Sequence, residues 1–146
     1  MARKKPKHVT VNFFTPKEVG PRDWGKEILI AHIPSIGTGK MLFMKAGTRG
    51  GLQYHRIKNE SQYLHYGKML IEYDPGDGKL TKMEVVAGEG WHIPPGAVHR
   101  ETAITDCVIF EVSNPVFNDR VRVENKYGEK IEGGLPSTTI DEIEIR

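Results

Sequence analysis

Two groups of metal-donor side chains stand at fixed offsets from glycines in this chain, and any fold it adopts has to bring them to one point. The first runs Gly47-x5-Gln53-x-His55-x4-Glu60-x6-Gly67, and the second runs Gly88-x5-Pro94-x-Gly96-x2-His99. A divalent ion needs several neutral or deprotonated donors converging on it, and here two imidazoles, a carboxylate and an amide oxygen are offered. Gln53 and His55 have the same strand parity, so one strand turns both to one face. Glu60 has the opposite parity, which requires a loop or bulge at 56–59. His99 follows a rigid Pro94-Pro95-Gly96 turn and has to arrive from a second strand. The set leaves room at the ion for water or substrate.

The rest of the chain reads as many short strands. Its 16 glycines and 9 prolines are spread between short apolar runs, and no long stretch repeats every 3.6 residues. Strands are expected near 27–33, 40–46, 62–73, 82–87, 91–94 and 107–112. Turn signals at 37–39, 49–51, 74–78 and 88–90 separate them. This pattern predicts an all-β sandwich or barrel in one domain. The apolar cluster 9–14 reads as an edge strand or as an arm on a partner subunit. In the tail beyond residue 130, Ile143-Glu144-Ile145 reads as a short strand or a helical turn.

Composition removes several function classes. With 146 residues, 38% hydrophobic and 27% charged, the chain is an ordinary globular domain. A net charge of only +2 gives no reason to expect nucleic acid or a membrane as partner. No apolar stretch has the length of a membrane span, and no signal-peptide core follows the basic start, so a cytoplasmic location is expected. The single cysteine, Cys107, excludes an internal disulfide and fits a reducing compartment. Its setting in Cys107-Val-Ile-Phe-Glu-Val is that of a buried small side chain, not a reactive thiolate. No phosphate-cradling glycine loop is visible.

The two motifs resemble those of the cupin superfamily, with Gln53 where the first histidine usually stands and Ala103 where a terminal asparagine usually stands. The resemblance implies a jelly-roll barrel. More narrowly, the chain is similar to the cupin domain of type II mannose-6-phosphate isomerases. The similarity rests on Arg22-Asp23-Trp24-Gly25, on Leu52-Gln53-Tyr54-His55 followed by Lys58 and Glu60, on Ile93 to Arg100, and on Val121-Arg122-Val123-Glu124-Asn125-Lys126-Tyr127-Gly128. It covers roughly residues 20–129, leaving 1–19 as an arm or edge strand and 130–146 as a tail. Cupins of this kind are commonly dimers, so a homodimer is expected.

This likeness implies one divalent ion (Zn, Mn, Fe or Ni) held by Gln53, His55, Glu60 and His99. It implies a small-molecule substrate, a sugar phosphate, isomerised between aldose and ketose forms. Such a reaction needs an ion that polarises a carbonyl and a group that moves a proton between neighbouring carbons. Glu111, which alternates with Ile109 and Cys107, is the expected proton carrier, with Lys58 as the second choice. Arg22, Arg100, Arg122 and Lys126 are the expected substrate cations, since phosphate is held by guanidinium forks and ammonium charges. His65 should face away from the ion, and His92 is either a packed strand residue or part of the pocket. Two other readings stay open: a dioxygenase with non-haem iron, and a non-catalytic module that binds a sugar or another metabolite.

Overall fold

The computed structural model describes residues 9–19 and 22–132. The expected strand or turn at 143–145 and the basic residues before position 9 lie outside the described residues.

Eleven strands build two antiparallel sheets. They are β1 (Lys17–Glu18), β2 (Gly25–Ile33), β3 (Gly37–Met44), β4 (Gln53–His55), β5 (Glu60–Tyr66), β6 (Lys68–Tyr73), β7 (Thr81–Val86), β8 (Gly90–Ile93), β9 (His99–Ala103), β10 (Cys107–Ser113) and β11 (Arg120–Arg122). One sheet has the order β1-β2-β3-β10-β5-β8 and the other β11-β4-β9-β6-β7. The only helical element among the described residues is a short 3-10 turn, Glu124–Tyr127. No helix there is long and apolar enough to cross a membrane.

Where the sequence suggests one strand over 62–73, the structure has two, in different sheets. Gly67 makes the corner between them, with φ at 98°; a Cβ there would lie 2.2 Å from the Asp106 carbonyl oxygen. Only glycine turns the chain so sharply against a neighbouring backbone. Residues 9–14, expected as an edge strand or as an arm on a partner subunit, form no strand here: they have no regular structure, and Val9 and Phe13 are exposed. The strand at that edge is instead β1.

The register sorts the interior into two halves. Leu42 on β3 lies opposite Ile109 on β10, which lies opposite Leu64 on β5. With Met44, Met69, Ile71, Val85, Ala103 and Cys107 these residues form the apolar core. One step along the strands, Lys40, Glu111 and Gln62 make the next inward row. All three are buried, so one end of the space between the sheets is dry and the other polar. On the outer face of the same sheet, Ile28, Met41, Phe110 and Tyr63 form an apolar row across four strands.

Candidate metal centre

The polar end of this space is a cavity of about 320 Å³ between the sheets. On its wall β4 presents Gln53 and His55 from one face, as their shared parity requires. Gln53 pairs across the strands with His99 on β9. The chain then leaves the sheet at 56–59 and re-enters the opposite sheet at Glu60, the first residue of β5. That excursion is the break in parity expected from the sequence, and it returns Glu60 to the same cavity.

Among the described residues, His55, Glu60 and His99 form a cluster able to hold a metal ion. Glu60 Oε1 lies 3.9 Å from His55 Nε2 and 3.7 Å from His99 Nε2. Donors that share an ion at roughly 2.0–2.2 Å stand about 3–4 Å apart, so the spacing of each histidine from Glu60 fits a shared ion.

Proton positions on the two rings follow from their other nitrogens. His99 Nδ1 donates to the Ala97 carbonyl at 2.9 Å. His55 Nδ1 donates to Asp119 Oδ1 at 3.0 Å. A carbonyl and a carboxylate can only accept, so each Nδ1 carries the hydrogen and each Nε2 keeps its lone pair for the cluster. Burial, with Lys58 and His99 nearby, lowers the His55 pKa to about 4 against the opposing pull of Asp119. Burial also lowers His99. Both rings are therefore neutral near pH 7, the form a metal requires.

Asp119 was not singled out in the sequence, yet it orients much of the site. Its Oδ2 accepts the backbone N–H groups of Ile57 at 2.6 Å and Lys58 at 2.7 Å, fixing the segment that delivers Glu60. Burial raises the Asp119 carboxyl, but these two donors and His55 hold it below the usual range. It precedes β11 in a stretch with no motif of its own, so only the fold shows its role.

Lys58 is buried, with Nζ 2.7 Å from Glu60 Oε2 and 3.1 Å from Glu111 Oε2. Burial works against its charge, but Glu111 and Glu60 outweigh it and push its pKa well above the ordinary lysine value. Lys58 is thus a fixed ammonium, and it turns the other oxygen of Glu60 toward the histidines. Glu111 gives its second oxygen to Gln62 Nε2 at 3.0 Å. Both residues lie in the cavity, and both are held in ion pairs.

Glu101, two residues beyond His99 on β9, shares its face and lines the same cavity. Trp91 Nε1 donates to it over a long 3.4 Å. Burial, with Glu60 and Glu111 beside it, pushes this carboxyl up to about 8. Sequence reading passed over it, although its spacing from His99 was the available signal.

The expected substrate cations separate into two groups. Arg22 and Arg122 line the cavity. Arg100 borders it but alternates with His99 and Glu101, and its guanidinium binds Glu72 at 2.9 and 3.2 Å and Glu129 at 2.9 and 3.1 Å. It joins β9 to β6 and to the segment after the 3-10 turn. Lys126 is exposed on that turn and does not line the cavity. His65 is exposed beside the Phe110 ring, facing away from the centre as expected. His92 is also exposed, where its Nε2 meets Asn59 Oδ1 at 2.6 Å; it is neither packed nor in this cavity.

Solved structures similar to this fold include the capsular polysaccharide assembling protein CapF from Staphylococcus aureus. It is 23% identical over 76% of this chain and 32% of its own, with a TM-score of 0.65. Oxalate decarboxylase from Bacillus subtilis is 18% identical over 80% of this chain and 34% of its own, with a TM-score of 0.66. The fold is the cupin jelly roll. The chain spans about a third of each of these cupins, and at such identity the likeness concerns fold alone. No family model matches the sequence. No curated protein matches it either.

Proposed function

We propose that this cupin is a metal-dependent enzyme. Gln53, His55, Glu60 and His99 would hold one divalent ion, and a small sugar phosphate would be isomerised between aldose and ketose forms. The observation that carries the metal reading is the pair of Nε2 lone pairs and the Glu60 oxygen turned to one point, each fixed by a second partner. Gln53 supplies the fourth donor from its place opposite His99. When bound, such an ion acts as a Lewis acid toward a substrate oxygen. Zn, Mn, Fe and Ni all accept two imidazoles with oxygen donors.

The residues around it divide the remaining work. Lys58 holds Glu60 and does not move a proton. Glu111 has both oxygens occupied, so we assign the proton-transfer role to Glu101, which faces the same space as His99. CapF is named for polysaccharide assembly and the other neighbour for oxalate decarboxylation, so the fold alone does not choose between carbohydrate and small-acid chemistry. The arginines at the cavity favour a phosphorylated substrate. The row Ile28, Met41, Phe110 and Tyr63 supports burial of that sheet face in a homodimer, which light scattering of the purified protein tests.

Interconversion of mannose 6-phosphate and fructose 6-phosphate by protein reconstituted with each of the four ions is the direct assay. Turnover that disappears in His99→Ala and falls in kcat in Glu101→Gln supports the reading; no turnover with any ion refutes it. Two histidines with one carboxylate also suit non-haem iron and oxygen. Oxygen consumption with iron, absent with zinc, would favour a dioxygenase instead.

A further inference from the structure

Residues 9–14 have the alternation of a strand but no ladder in their own chain. On an extended backbone Val9, Val11 and Phe13 fall on one side, and Thr10, Asn12 and Phe14 on the other. The run is largely β-branched and aromatic, uncharged and free of proline, so it favours pairing wherever a sheet edge is open. Yet Val9, Val11 and Phe13 are 88%, 72% and 80% exposed.

An open edge lies at the same corner of the fold. β1 covers β2 only where Lys17 meets Leu29 and Glu18 meets Ile28. β2 runs on to Ile33, and among the described residues no strand covers the outer edge of Ile30-Ala31-His32-Ile33. Bare edges are ordinarily guarded by charged side chains. β7, an edge of the other sheet, presents exposed Lys82 and Glu84 in this way, but residues 30–33 include no Lys, Arg, Asp or Glu. Ile33 is exposed there instead.

Two features hold the arm off its own edge. The β2 register against β3 shifts between Leu29 and Ala31, and such a bulge bends the strand away from the line of β1. Continuing the β1 register would also set Pro16 opposite Ile30. Proline keeps φ near −65°, far from the roughly −140° of an antiparallel strand. The chain accordingly has no regular structure over 9–16, which leaves both arm and edge unused.

We propose that residues 9–14 of one copy add as a strand to the Ile30–Ile33 edge of a second copy, reciprocally, so that two chains exchange arms across a twofold axis. The proposal rests on the homodimer reading above and adds the segment that ties the copies together. A twofold gives each copy one arm to donate and one edge to accept it. At the exposures seen here, Phe13 and Phe14 of two copies offer roughly 350–600 Å² for burial, and the partner surface they cover counts again. With the valines, the total reaches the roughly 1,000 Å² expected of a specific interface. Ile28, at one end of the apolar row, stands on the same strand, so the arm contact continues the face already assigned to the dimer.

The test is hydrogen exchange of the full chain read by mass spectrometry, at concentrations where light scattering shows dimer and then monomer. The expected result is slow exchange at 10–14 and 31–33 in the dimer and fast exchange at both in the monomer. Val11→Asp, Phe13→Asp should weaken dimerisation at least about tenfold and leave 31–33 fast in any remaining dimer. Ile33→Lys, on the accepting edge, should free 10–14 in the same way. All three side chains are exposed in the single chain, so circular dichroism of the variants should match the wild type. A dimer in which 10–14 exchanges as fast as in the monomer would overturn the exchange and leave the homodimer reading standing. Slow exchange at 10–14 that persists in the monomer would place the arm on its own chain and overturn it too. A chain that is monomeric at every concentration would overturn the homodimer reading and the exchange together.

Discussion

Asp119→Asn should weaken metal binding far more than its small change in shape suggests. Asp119 Oδ1 accepts from His55 Nδ1, and Oδ2 accepts from the backbone of Ile57 and Lys58. Asparagine has one acceptor oxygen and one donor amide. If the oxygen keeps the two backbone donors, the amide faces His55, whose Nδ1 must then accept. The ring hydrogen moves to Nε2 and blocks the lone pair aimed at Glu60. If the oxygen stays on His55, the two backbone N–H groups meet a donor and the 56–59 segment loosens. Either way one orienting contact behind a ligand is lost. Such losses cost about 10–100-fold in metal affinity, or about 1.4–2.7 kcal/mol. Competition with a chromophoric chelator measures the affinity directly, and near-ultraviolet circular dichroism shows whether the variant keeps its packing. A folded Asp119→Asn protein with wild-type metal affinity would refute the assignment of the Nε2 lone pairs.

Other perturbations have distinct signatures. In metal-stripped protein, His55 titrates near 4 when folded and near 6.5 when unfolded. The unfolded chain therefore binds more protons in that window. Stability should fall as pH drops from 6.5 to 4, by on the order of 3 kcal/mol from His55 alone, and urea melts of His55→Gln should show a shallower fall. Lys58→Met leaves Glu60 and Glu111 buried without their shared cation. Stripped Lys58→Met should lose about 3–5 kcal/mol, and added metal should raise its Tm more than that of the wild type. Gly67→Ala drives a Cβ against the Asp106 carbonyl at a left-handed φ. A loss of about 3 kcal/mol or more in urea is expected, and an unchanged midpoint would mean that the corner is not tight.

The strands legible in the sequence were those with apolar inward faces, such as β3 and β10, where burial alternates along the chain. Strands β4 and β9 were reached only through the parity and spacing of their metal donors, and β11 not at all, because their inward faces carry Gln53, His55, His99, Glu101, Arg120 and Arg122. A polar interior removes the alternation that marks a strand, so the segments that build the site are the ones hydropathy misses. The donor spacing was legible because each residue stands at a fixed offset from a glycine or proline. The supporting shell was not. Asp119 acts through a pairing across 64 positions, and Arg100 is drawn to Glu72 and Glu129 by neighbours that only the folded chain supplies. Lys58 was visible as a charge near the donors; its role as a fixed ammonium depends on the depth at which two carboxylates enclose it.

The most direct test of the metal centre is elemental analysis of the purified protein by plasma mass spectrometry, beside His55→Ala, His99→Ala. The structure leads us to expect near-stoichiometric divalent metal in the wild type, lost in the variant while the fold persists. A wild type that stays metal-free after incubation with Zn, Mn, Fe and Ni in turn, or a variant that keeps its metal, would contradict the site.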